Sequence, residues 1–127
     1  MTLGEVRRLL SCEIFAGDEM LERTVTFGCA SDLMSDVLAF SRAGALLLTG
    51  LVNVQTIQTA FIAELNGIIL VRGKHPNGKV EELAREKKIP LLGTPYSMYE
   101  ACGILYRAGI PSTMQPEPGL AERRAGK

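Results

Sequence analysis

Residues 45–50 run ALLLTG and residues 67–71 run GIILV, two unbroken apolar stretches of strand length with no polar alternation. A strand with one wetted face alternates apolar and polar side chains, so these runs fit strands covered on both faces, as in a parallel sheet between helical layers. Between them Asn53 stands where a helix cap belongs, ahead of Val54, Ile57, Phe61 and Leu65 at helical spacing. After the second run, Val80, Leu83 and Ala84 mark another helix, residues 89–92 a short strand, and Met98, Ala101, Cys102 and Leu105 a last helix ending near Gly109. Strands alternating with helices of this length predict right-handed crossovers. The expected fold is α/β, three layers α/β/α, with a mostly parallel sheet of about four to five strands.

Upstream, Thr2 with Glu5 makes a capping box, and Leu3, Val6, Leu9 and Leu10 share one helical face. Residues 12–15 fit a short strand, Gly17 and Asp18 a turn, and residues 23–30 a second extended run. Ser31 or Asp32 can cap a helix carrying Leu33, Val37, Leu38 and Phe40. Beyond Ile110 the sequence PSTMQPEPGLAERRAGK has no apolar period. The organisation expected is one domain over residues 1–110 and a flexible tail over 111–127, in which 120–124 is at most a marginal helix.

The 127 residues suffice to bury a core without staples, and the 46% hydrophobic content is ordinary for a globular chain. Fourteen basic residues balance fourteen acidic ones, so no net field favours nucleic acid or an anionic membrane. No apolar run is long enough to span a bilayer and no signal peptide opens the chain, which predicts a cytoplasmic protein. Cys12, Cys29 and Cys102 lack metal-ligand spacing and sit in apolar-periodic segments, so neither metal, cofactor nor redox chemistry is expected of them.

In an open parallel sheet, ligands collect where strand carboxyl ends meet helix amino ends. The residues placed there are Gly50, Asn53, Arg72, Gly73, Lys74 and Thr94, the candidates for binding a nucleotide or another phosphorylated metabolite. Residues 73–79, GKHPNGK, match the GxxxxGK of a phosphate loop. Position 80 is Val80, however, which has no hydroxyl for Mg²⁺, and Pro76 removes a phosphate-cradling N–H. The match therefore fits a turn with Lys79 solvated, and phosphoryl transfer is not expected. His75 is the single histidine and lies on that turn, while Ser41, Ser97 and Ser112 lack a nucleophile elbow. Tyr96 fits stacking on a base as well as packing, whereas helical spacing accounts for Tyr99.

From Leu3 to about Ile110 the succession of segments resembles the DRTGG domain family, relatives of the amino-terminal domain of HPr kinase/phosphorylase. The stretches that carry the likeness are ALLLTG at 45–50 followed by Gln55, GIILVRGKHP at 67–76 and VEELAREKKIPLLGTPYSMYEA at 80–101. At the name-giving loops the family has Asp-Arg where this chain has Leu51 and Val52, and Thr-Gly-Gly where it has Val71, Arg72 and Gly73. Gly50, Gly73 and Pro76 match. The resemblance implies a non-catalytic domain that modulates a partner or neighbouring domain, often by dimerising. Stand-alone members are similar to proteins encoded beside iron-only hydrogenase subunits, which implies a hydrogenase-system component as partner. Two functions are thus expected: a regulatory or accessory homodimer working through protein contact, or a sensor of a phosphorylated ligand. Leu51 and Val52, apolar at a strand-end loop, point toward contact.

Overall fold

The computed structural model describes residues 1–114 of the chain. Five strands form one sheet: β1 (Glu13–Ala16), β2 (Gly28–Ala30), β3 (Leu46–Thr49), β4 (Gly67–Leu70) and β5 (Leu91–Gly93), in the order β1-β5-β4-β3-β2. Strands β2 to β5 are parallel, and β1 joins the far edge antiparallel to β5 with an irregularity between Ile14 and Ala16. The helices are α1 (Leu3–Leu10), α2 (Met34–Phe40), α3 (Val54–Ile62), α4 (Gly78–Glu86) and α5 (Met98–Arg107).

The apolar runs sort their side chains between two cores. Leu47, Ile68, Leu70 and Leu91 pack with Met34, Val37, Ile57, Ala60, Val80 and Ala84, so α2, α3 and α4 cover one face. Leu46, Leu48, Ile69 and Leu92 pack with Leu3, Val6, Leu10, Ala101 and Leu105, so α1 and α5 cover the other. Burial on both faces is why these strands show no polar alternation, and the three-layer expectation holds. All four residues of β3, and all four of β4, are buried.

Three local expectations are corrected. The second extended run is a strand only over Gly28–Ala30, since upstream the backbone turns to pair with the amino terminus, Val25 N–H donating to the Met1 carbonyl. Neither Ser31 nor Asp32 is the cap residue of α2: Leu33 takes that position without a side-chain bond. The paired structure also runs past Ile110. Gly28 N–H donates to the Pro111 carbonyl at 2.8 Å and Thr113 N–H to the Gly28 carbonyl at 3.0 Å, extending β2 outward. Residues 111–113 are paired in this way, and the marginal helix at 120–124 lies outside the described residues.

Candidate functional site

The carboxyl ends of β2, β3, β4 and β5 line up, and their loops converge as the strand order allows. Thr49 ends β3, and Gly50 follows it beneath the side chains of its neighbours. Asp32, from the end of β2, accepts the Gly50 amide at 2.6 Å and the Thr49 hydroxyl at 3.0 Å, both on Oδ1. From the end of β4, Lys74 Nζ donates to the Gly50 carbonyl at 2.7 Å. A methyl group on Gly50 would lie 3.1 Å from Arg72 Nη2 and 3.5 Å from each Asp32 carboxylate oxygen, so the charged ends of both side chains lie close to this backbone. The Gly50 hydrogen bond, with the Thr49 hydroxyl and the charges of Arg72 and Lys74, holds the Asp32 carboxyl below its ordinary pKa.

Arg72 and Gly73 both adopt left-handed backbone, at φ 61° and 69°. This folds the β4 loop back onto β5's end, where Arg72 N–H donates to the Tyr96 carbonyl and Gly73 N–H to the Thr94 carbonyl. Gly50, Arg72 and Lys74 are therefore brought together, with Gly73 as the hinge behind them. Asn53 and Thr94 are engaged away from this cluster. Asn53 Oδ1 accepts Thr56 N–H as the α3 cap, and the buried Thr94 hydroxyl donates to the Leu10 carbonyl at 2.6 Å beneath the sheet end. Asp32 completes the cluster, although its place before α2 fits a helix cap and local spacing gives no sign of this role.

The GxxxxGK stretch forms no cradle. Asn77 caps α4 through Val80 N–H, Lys79 is exposed, and His75 turns away toward β1. His75 Nδ1 lies 2.9 Å from the Gly73 carbonyl and Nε2 lies 3.2 Å from Glu13, with the ring edge-on to Phe15. Among the described residues no group of three or more His, Cys, Asp or Glu could hold a metal ion, and no helix is long and apolar enough to cross a membrane. Leu51 and Val52 are half-buried against the core, so they form no free apolar loop.

Exposed apolar surface lies elsewhere. A groove of about 410 Å³ beside β2 is lined from α2 and α5 and by Cys29, Leu48, Leu105 and Ile110. Its rim carries Phe40, 50% exposed, Tyr106, 72%, and Met114, 58%.

No curated protein matches the sequence. The solved structure of the CBS and DRTGG domains of the regulatory region of Clostridium perfringens pyrophosphatase, complexed with its activator diadenosine tetraphosphate, superimposes with a TM-score of 0.67 at 16% identity. The match covers 98% of this chain and 58% of that one, so the chain spans less than two thirds of its neighbour and shares its fold. The DRTGG domain model matches residues 5–108, in keeping with the strand and helix runs from which the resemblance was drawn. The chain belongs to the DRTGG domain family.

Proposed function

We propose that this DRTGG domain is a cytoplasmic regulatory or accessory module without chemistry of its own, acting by protein contact as a homodimer joined through the groove beside β2. The observation that carries this reading is the composition of that groove. Aromatic and methionine side chains are enriched at protein interfaces, and here Phe40, Tyr106 and Met114 stand exposed around an apolar lining. The backbone supports it. Residues Phe27 and Ser31 bond inward to β3, Gly28 bonds outward to Pro111 and Thr113, and Ala30 by the same alternation faces outward with no partner among the described residues. The one outward-facing position of β2 left open among the described residues, Ala30, lies beside apolar side chains where a second copy could meet it, and a two-fold axis would satisfy it on both chains at once.

The neighbouring pyrophosphatase structure is a regulatory region, which favours a regulatory role on this fold. Neither His75, held by Glu13 and the Gly73 carbonyl, nor the strand-end serines and threonines form a nucleophile–base pair. Sedimentation velocity of the intact chain at micromolar concentrations tests the dimer. We expect a dimer, and a monomer with unchanged far-UV circular dichroism for Phe40→Asp with Tyr106→Asp. A wild-type chain that stays monomeric to several hundred micromolar refutes the homodimer. Pull-down of the hydrogenase-system component implied by the family resemblance, with the same variant as control, tests the partner.

A further inference from the structure

We propose that the loop at Gly50 is a binding site for the phosphoryl group of a small metabolite, and that Asp32 is a built-in competitor occupying it. A buried backbone amide, a hydroxyl and two cationic side chains point at one spot, the donor set that binds oxyanions. The group resting there is itself an anion: the Asp32 carboxylate takes the Gly50 N–H at 2.6 Å and the Thr49 O–H at 3.0 Å. It uses Oδ1 for both, and the Arg72 guanidinium, whose Nη2 lies 3.1 Å from where a Gly50 methyl would stand, has no hydrogen-bond or ion-pair partner among the described residues. As placed, one carboxylate oxygen carries both bonds and Arg72 is left unbonded, whereas the three oxygens of a phosphoryl group can meet the amide, the hydroxyl and the guanidinium at once.

Arg72 and Lys74 are exposed, so the site opens to solvent. Asp32 is also exposed and sits on a turn ahead of α2 without capping it, so it can swing out without unwinding the helix. Two cations against one carboxylate leave one net positive charge, and removing Asp32's charge leaves two. The inference is independent of the groove beside β2, which lies on α2 and α5.

Isothermal titration with inorganic phosphate, against acetate at matched ionic strength, tests it on the full chain. We expect Asp32→Asn to bind phosphate at least about tenfold more tightly than wild type, the gain from removing a carboxylate whose charge repels the anion. Acetate should bind more weakly than phosphate, and Arg72→Ala in the Asp32→Asn chain should abolish the gain. Folded Asp32→Asn that binds phosphate no better than wild type overturns the proposal, and so does an unchanged affinity on adding Arg72→Ala; the cluster is then a clamp between strands. Should Asp32→Asn fail to fold, amide NMR of the wild type decides. Saturable phosphate shifts at Thr49 and Gly50 that Arg72→Ala removes support the site, and their absence overturns it.

Discussion

The carboxylate of Asp32 accepts the Gly50 amide at 2.6 Å across 18 residues of sequence, joining the end of β2 to the end of β3. With Lys74 Nζ on the Gly50 carbonyl from β4, the two peptide units that flank the Gly50 Cα are each held by a charged side chain from a neighbouring strand. Charge-assisted bonds of this kind fix three strand ends relative to one another, which is what a site assembled from separate loops requires.

Asp32→Ala should destabilise the domain by about 1 kcal/mol at pH 7, a charged hydrogen bond discounted for the exposure of its carboxylate. The folded pKa of Asp32 is lowered, so its contribution is fully present above the unfolded carboxyl value of about 4 and is lost as pH falls through the folded pKa. Urea unfolding of the two proteins across pH 2 to 7 checks this. The gap between them should be widest above pH ~4 and close toward the acid end; a gap independent of pH would assign the effect to something other than the carboxylate.

Thr94→Val keeps the β-branched shape and removes the hydroxyl that donates to the Leu10 carbonyl at 2.6 Å and accepts Tyr96 N–H at 3.3 Å. Thr94 is 1% exposed, so water cannot replace it. The loss should be about 1–3 kcal/mol in the midpoint-derived unfolding free energy, the cost of leaving buried partners unsatisfied. Its effect should also appear as faster exchange of the Arg72 and Gly73 amides, whose acceptors lie in the Thr94–Tyr96 turn.

Much of this was legible from local pattern. Leu46–Thr49 and Gly67–Leu70 are buried on both faces, and that condition writes itself into sequence as an unbroken apolar run. Gly50, Arg72 and Lys74 were legible as neighbours because they follow adjacent parallel strands. Asp32 was not, since a residue ahead of a helix satisfies the capping rule locally while its true partner depends on β2 lying beside β3. Asn53 and Thr94 stood at the right ends of strands, yet a local cap claimed the Asn53 side chain and the buried Leu10 carbonyl, distant in sequence, claimed that of Thr94. The groove was hidden for a longer-range reason. It exists because residues 111–113 return to β2, and a proline-bearing segment without apolar period gives no sign of that.

Gly17 precedes the short 3₁₀ turn at Asp18–Met20 with φ 95°, and a methyl group there would meet the Pro90 Cα at 2.8 Å. Both the conformation and the space demand glycine, and the contact is backbone, so no rotamer change relieves it. Gly17→Ala should cost about 2 kcal/mol or more, combining a left-handed penalty with displacement of the chain entering β5. Thermal unfolding checks the magnitude. Gly78→Ala is the control: its added methyl meets nothing within 4 Å, and a drop of similar size there would refute the steric argument.

The three thiols should differ in reactivity according to their burial. Burial pushes the Cys12 thiol up from 9.0 to about 12 against the small opposing pull of Arg7, and also raises Cys29 and Cys102, which are half-buried. The thiolate is the reacting form, so at pH 8 a thiol pushed up to about 12 has a reactive fraction about a thousandfold lower than an ordinary one. Iodoacetamide labelling of the native chain, read by peptide mass spectrometry, should therefore modify Cys12 last and at a rate limited by opening of the domain. Cys29 and Cys102 line the groove beside β2, so dimerisation through that groove should protect them in addition. Their labelling should accelerate in the monomeric Phe40→Asp, Tyr106→Asp chain while that of Cys12 stays the same. Equal acceleration of all three would mean the double variant loosens the fold, and no acceleration at Cys29 or Cys102 would place the contact surface away from the groove.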